Sequence, residues 1–275
     1  MVRLHQKYAF DAYIVGSDQV WRPRYSPCLT NYFLDFVESE RNVKKIAYAA
    51  SFGVDNWEFT EEQTRECARL AKQFDAISVR EDSAVDLCKR YFDVKATHLL
   101  DPTMLLNKEI YTSIFAKERI SQSPRNLLTY ILDKSAEKDR IINNVARKYN
   151  LKPFSVMPRR GFSEPGRKDI QDCVLPSVEE WIRGFMDAQF VITDSFHGTV
   201  FSILFNKPFI SIANKNRGLT RFTSLLKLFQ LEDRLIFSSN NFIPDRLKEI
   251  DWDKLNAILK VEKDKSIYFL NDYLS

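Results

Sequence analysis

The chain has 275 residues, long enough for one large α/β domain or two smaller ones that each bury a core. Apolar residues make up 44% and charged residues 28%, the balance of a soluble globular protein rather than a disordered or membrane-embedded one. A formal charge of only +4, spread along the chain, excludes the concentrated basic face of a nucleic-acid binder but suits a site for anions.

Short β-branched and aromatic runs alternate with amphipathic helical stretches, the pattern of parallel sheets flanked by helices. The first predicted strand, 11–15, breaks at Gly16, Ser17 and Asp18, and the second, 45–50, ends at Ser51, Phe52 and Gly53. Thr60 and Gln63 form a capping box. Cys67, Leu70, Ala71 and Phe74 then fall at i, i+3, i+4 and i+7, giving that helix one buried face. A strand over 76–79 stops at Arg80 and Glu81. The next helix is expected to bury Ala84, Leu87, Cys88 and Tyr91, and a strand over 96–100 stops at Asp101 and Pro102. Residues 116–126 are polar, contain a proline and show no periodicity, which places a domain boundary there. The expectation is an N-terminal Rossmann-like domain over 1–120 and a C-terminal one over 121–275 with terminal helices. The first array opens on a strand with no room for a preceding βα unit, so the N-terminal domain reads as truncated.

In the second array a strand over 126–132 precedes a helix from Ser135, with Ile141, Ile142, Val145 and Tyr149 on one face. A strand over 153–156 ends at Pro158, Arg159, Arg160 and Gly161. Ser177 and Glu180 form a second capping box before a helix around Trp181, Ile182 and Phe185. A strand over 190–193 runs into Asp194, Ser195, Phe196, His197 and Gly198, followed by a helix over 199–205. A strand over 208–212 leads to Lys215, Asn216 and Arg217. The remainder reads as helical and closes with an amphipathic segment near 267–274.

Cys28, Cys67, Cys88 and Cys173 form no CxxC pair and have no histidine at metal-ligand spacing, so they are expected to be reduced core thiols. The opening residues lack an apolar leader, and no apolar run approaches the ~18 residues of a membrane span. These signs predict a cytoplasmic protein. There is no Walker A, G-x-G-x-x-G or H-E-x-x-H pattern, hence no expectation of a dinucleotide, metal or other cofactor.

Ligands of open α/β sheets bind outside the carboxyl ends of the strands. His197 lies between a predicted buried strand and a helix start, where exposed amides favour anions and an imidazole can move protons near neutral pH. A histidine that merely satisfies the turn is the alternative. Gly198 would let a ligand approach those amides. Asp194 and Ser195 either cap the helix or meet the ligand. A Ser195–His197 nucleophile pair is disfavoured, because residues i and i+2 of an extended turn point apart and no G-x-S-x-G is present. Arg80, Arg159, Arg160, Lys215 and Arg217 are candidate anion holders. Asp18, flanked by Ser17 and Gln19, either binds a sugar hydroxyl, acts as a base, or holds its own turn. Trp21 is either a sugar-stacking platform or core.

Several segments occur together in order: 10–23 (FDAYIVGSDQVWRP), 45–53 (KIAYAASFG), 78–81 (SVRE), Asp101-Pro102-Thr103 and 193–198 (TDSFHG). Over residues 10–235 the chain thereby resembles the polysaccharide pyruvyl transferase family, whose opening βα segment has no counterpart in this sequence. The resemblance implies two Rossmann-like domains in a GT-B-like arrangement. It also implies transfer of a pyruvyl group from phosphoenolpyruvate to sugar hydroxyls of a surface or exopolysaccharide precursor, forming a cyclic ketal. The partners would be phosphoenolpyruvate and a saccharide acceptor on a lipid-linked or nucleotide-linked carrier, with the loop 162–174 setting acceptor choice. The family's motif histidine matches His197, and an arginine of its N-terminal domain matches Arg80. The expected catalytic groups are His197 and Asp18. The expected substrate-binding residues are Ser17, Gln19, Arg80, Asp194, Ser195, Gly198, Lys215 and Arg217. Two rival readings are a GT-B glycosyltransferase using a nucleotide sugar and a non-catalytic glycan-binding member of the family.

Overall fold

The computed structural model describes residues 7–37, 42–115, 122–158, 160, 170–214, 217–239 and 242–275. In chain order it runs through β1 (Ala12–Val15), β2 (Lys44–Ala50), α1 (Glu61–Ala71), β3 (Ala76–Val79), α2 (Asp82–Leu87) and β4 (Thr97–His98). It continues with α3 (Lys108–Phe115), β5 (Leu127–Tyr130), α4 (Ala136–Lys148), β6 (Pro153–Phe154), α5 (Val178–Asp187), β7 (Phe190–Thr193), α6 (Phe196–Leu204) and β8 (Phe209–Ile212). The last elements are α7 (Thr220–Leu228), β9 (Leu235–Ile236) and α8 (Trp252–Leu274). The fold class is α/β with two sheets, each wholly parallel.

The chain divides into two compact units. One comprises Met1–Leu105, Lys215–Phe229 and Asp253–Ser275, and the other Leu106–Asn214 and Gln230–Trp252. This differs from a single boundary between residues 120 and 121. The segments holding α7 and most of α8, which chain order assigns to a second domain, pack with the first unit. The physical reason is the apolar face of α8. Phe269 joins Ile46, Tyr48, Ala76 and Leu99 in one buried cluster, and Ser266 Oγ accepts a bond from the Leu100 amide at 3.2 Å.

The first unit holds a four-stranded sheet in the order β1-β2-β3-β4. Both halves of the predicted capping box on α1 form: the Gln63 amide donates to Thr60 Oγ1 at 3.1 Å and the Thr60 amide to Gln63 Oε1 at 3.0 Å. Helix α2 runs into a wide π-type turn, Cys88–Phe92. The wider turn shifts the helical register. Phe92 is therefore wholly buried, whereas Tyr91 is half-buried and stacks on Trp57 with centroids 4.0 Å apart. Trp21 is also core. It stacks on Phe33 at 4.7 Å, and its indole N–H donates to the Tyr32 carbonyl at 2.9 Å, so it offers no face to a sugar. Cys67, Cys88 and Cys173 are buried, but Cys28 is exposed, contrary to expectation. Burial pushes the Cys67 and Cys88 thiols up to about 12, leaving both as inert packing groups.

The second unit holds a five-stranded sheet in the order β6-β5-β7-β8-β9. Its core gathers Leu127, Ile141, Val145, Ile192, Ile210 and Phe242. Ser135 caps α4, and Ser177 and Glu180 complete the capping box on α5. Strand β9 lies in the tail read as helical. It has two residues, too few to carry a periodicity, and it exists through its pairing with β8. Helix α6 begins three residues earlier than the sequence suggests, because Ser195 is its N-cap. That puts His197 inside the first helical turn.

Candidate functional site

In the first unit the ends of β1, β2 and β3, the segment after β4, and the start of α7 converge around Asp18. The Asp18 backbone carbonyl accepts from the Ser51 amide at 3.2 Å, and its Oδ1 accepts from the Gln19 amide at 2.8 Å. Arg80 is buried beneath it, with Nη1 donating to Asp101 Oδ2 at 2.7 Å and Nη2 to Asp18 Oδ1 at 3.3 Å. Asp101 is held in turn by Ser17 Oγ at 3.2 Å and by the amide and hydroxyl of Thr103 at 3.0 and 2.7 Å.

A second buried guanidinium, Arg221 in the first turn of α7, reaches the same Asp18 oxygen at 3.6 Å. It also donates to the carbonyls of Gly218 and Arg217. The Arg217 carbonyl additionally accepts from Gln19 Nε2 at 3.2 Å, while the Arg217 side chain is exposed. Gln19 Oε1 accepts from Arg22, which makes a two-pronged pair with Glu58 at 2.8 and 3.0 Å. Gly218 has φ +95°, and a Cβ there would lie 2.6 Å from the Gly53 carbonyl. Glycine thus permits this segment to lie against the turn after β2.

The electrostatics follow from that crowding. Burial, with the like charge of Arg80, pushes Arg221 down to about 10, so it stays protonated at neutral pH. Partial desolvation against the cluster acts to raise Asp18, but Arg80, the Gln19 amide and Arg221 together outweigh it at this exposed side chain and hold the carboxyl below its usual range. Asp18 is therefore a carboxylate and a weak base near neutrality. Glu81, next to Arg80, is fully buried, and burial raises it despite Arg80, the Ser51 hydroxyl that donates to its Oε1, and Arg221. His98 has a structural place. Its Nε2 lies 3.2 Å from the Arg80 carbonyl and 3.4 Å from Ser224 Oγ, and burial lowers it toward the neutral form. Two buried guanidinium groups share one surface carboxylate, and guanidinium forks match the geometry of carboxylate and phosphate.

In the second unit, Asp194, Ser195, His197 and Gly198 build one turn at the end of β7. Both Asp194 oxygens are engaged within the protein, accepting from the Leu132 amide at 2.6 Å, the Asp133 amide at 3.1 Å and Lys138 Nζ at 2.6 Å. Ser195 Oγ accepts from the Gly198 amide at 3.4 Å, the bland capping role. A Cβ on Gly198 would stand 2.1 Å from Thr193 Oγ1, so this glycine lets α6 close onto β7 rather than admitting a ligand. His197 is half-buried, edge-on to Phe196 with ring centroids 5.5 Å apart. Lys215 and Arg159 lie outside the described residues, as does most of the loop 162–174. Arg160, just before that loop, is exposed, and its amide donates to the Asp172 carbonyl at 2.9 Å.

The sequence pointed to Ser17, Asp18, Gln19 and Arg80, and the structure brings them together. It contributes Arg217 through its carbonyl rather than its charge. Sequence reasoning missed Arg221, whose local signal is no more than one basic residue opening an apolar helix after a glycine. Among the described residues, no group of three or more His, Cys, Asp and Glu side chains is placed to hold a metal ion.

The protein is thus an α/β protein of two parallel sheets, with a guanidinium cluster beyond the strand ends of one unit and a histidine-bearing helix start beyond β7 in the other. The chain belongs to the polysaccharide pyruvyl transferase family, whose family model matches residues 2–216 and so includes Asp18, Arg80, Asp101 and His197. No curated protein matches the chain. Among solved structures, UDP-N-acetylglucosamine 2-epimerase from Rickettsia bellii is similar over 99% of this chain and 76% of its own, at 12% identity and a TM-score of 0.40. Among the described residues, no helix is long and apolar enough to cross a membrane.

Proposed function

We propose that the protein transfers the pyruvyl group of phosphoenolpyruvate to two hydroxyls of a saccharide, giving a cyclic ketal and inorganic phosphate. The observation that carries this reading, within a family of pyruvyl transferases, is the pair of buried guanidiniums, Arg80 after β3 and Arg221 in the first turn of α7, that meet at Asp18. Phosphoenolpyruvate concentrates a phosphate and a carboxylate in one small molecule, and guanidinium groups suit both. In the proposed reaction a proton adds to the methylene carbon, leaving an oxocarbenium-like centre at the adjacent carbon. One sugar hydroxyl attacks that centre, losing its proton to a base. Phosphate departs with the C–O bond electrons, a second hydroxyl closes the ring at the same carbon, and its proton leaves on the phosphate.

His197 is the proposed general acid and base. The depressed Asp18 carboxyl is unsuited to that work. Asp194, Ser195 and Gly198 position the histidine by building its turn, and the acceptor is proposed to ride on a lipid or nucleotide carrier in the cytoplasm.

The test is incubation with phosphoenolpyruvate and lipid-linked or nucleotide-linked sugars, following phosphate release and a pyruvyl mass gain on the sugar. Both are expected together. Nucleoside diphosphate release from a nucleotide sugar, without phosphoenolpyruvate, would instead establish a glycosyltransferase. Tight sugar binding without turnover of either donor would establish a binding module.

A further inference from the structure

Asp18 is an unusual partner for the two arginines. Its side chain is 69% exposed, while those of Arg80 and Arg221 are 2% and 9% exposed. Two buried cations thus face solvent through one surface carboxylate. The contacts are also loose. One oxygen serves both guanidiniums at 3.3 and 3.6 Å, against 2.7 Å for the Arg80–Asp101 bond beneath. Charge-assisted bonds normally close to about 2.7–2.9 Å. The carboxylate end of each pair is open to water, which stabilises a released Asp18, while the two buried guanidiniums keep their need for an anion.

The charges beneath cannot take its place. Asp101 is fixed by Arg80, Ser17 and Thr103. Glu81 is committed to the Ser51 hydroxyl in a fully buried position. Like charge between Arg80 and Arg221 therefore favours an anion at the position of the Asp18 carboxylate, and the cheapest group to displace is Asp18 itself.

We infer that Asp18 is a resident counter-ion in an anion seat made by Arg80 and Arg221, and that a phosphate group takes this seat by displacing the Asp18 carboxylate into solvent. The inference rests on the proposed donor being phosphoenolpyruvate, whose phosphate would be the natural occupant, and it adds Arg221 to the residues that hold it. A phosphate offers three oxygens and up to two charges, so it can engage both guanidiniums at once where the single Asp18 oxygen is stretched between them.

The test is calorimetric titration of the full chain with inorganic phosphate, pyruvate and phosphoenolpyruvate at fixed ionic strength. Wild type is compared with Asp18→Asn, Arg221→Gln and Arg221→Lys. The expected result is that Asp18→Asn binds phosphate and phosphoenolpyruvate about ten-fold more tightly, since the internal competitor has lost its charge. Arg221→Gln should weaken both by at least about ten-fold, with Arg221→Lys between. Pyruvate affinity should change little in any variant.

Asp18→Asn leaving phosphate affinity unchanged or weaker overturns the inference, as does a tightening confined to pyruvate. Asp18→Asn is a surface change and decides the matter even if an Arg221 variant fails to fold. If phosphate affinity shifts as stated but no sugar is pyruvylated, the enzymatic reading fails and the seat stands. If pyruvylation proceeds while Asp18→Asn weakens phosphate binding, the seat fails alone.

Discussion

Asp101 accepts a bond from Arg80 at 2.7 Å with its own side chain 0% exposed, and it also receives Ser17 and Thr103. The pair is the floor under the anion cluster. Removing one partner of such a buried pair leaves an uncompensated charge and costs about 3–5 kcal/mol. Asp101→Ala should lose that much stability in urea denaturation. Where it still folds, it should also lose phosphoenolpyruvate binding, because the Arg80 fork is no longer aimed.

Glu81 offers a pH test. Its folded-state value is raised above the ordinary 4.5 by burial, against the pull of Arg80 and Arg221. An acid shifted in this direction contributes stability that is full below its unfolded value and is lost as pH rises through the folded one. Glu81→Gln keeps an acceptor for Ser51 and removes the charge. The variant should melt higher than wild type at about pH 8, with the advantage closing toward about pH 4. Thermal melts across that range check the sign; an advantage growing toward acid would contradict it.

Gly198 is pressed against Thr193, with 2.1 Å between a Cβ position and the hydroxyl oxygen. Thr193 Oγ1 itself donates to the Tyr130 carbonyl and accepts from the Ser195 amide, so it cannot move aside without losing both bonds. Gly198→Ala should therefore destabilise by about 1–3 kcal/mol, the usual range for overpacking. A lowered melting temperature with the rate of pyruvyl transfer falling in parallel is the expected pattern, because the turn that carries His197 is displaced.

His197 stands in the first turn of α6 and is half-buried, so replacing its ring disturbs little packing. His197→Gln should fold and melt close to wild type while pyruvyl transfer falls about 10²–10⁴-fold, the usual contribution of a positioned acid–base group. Steady-state rates with phosphoenolpyruvate measure this directly. Activity within a few-fold of wild type would remove His197 from the chemistry.

What the sequence determined by itself is local. The capping boxes Thr60–Gln63 and Ser177–Glu180, the apolar face of α1 and the strands that stop just before Arg80 and Asp194 were legible because they depend on residues within a turn or two of one another. The family was legible for a related reason: the segments that carry the resemblance are short local runs read directly in chain order. Tertiary structure alone decided the partners. Arg221 meets Asp18 because a glycine lets the segment before α7 lie against the turn after β2, and α8 joins the first unit because its apolar face fits that sheet. Trp21 went into the core, and Asp194 turned to the 132–133 amides and Lys138. Composition gives each of these side chains several possible partners. Choosing among them takes the burial of apolar surface and the pairing of buried charge across the whole chain, which no short stretch of sequence contains.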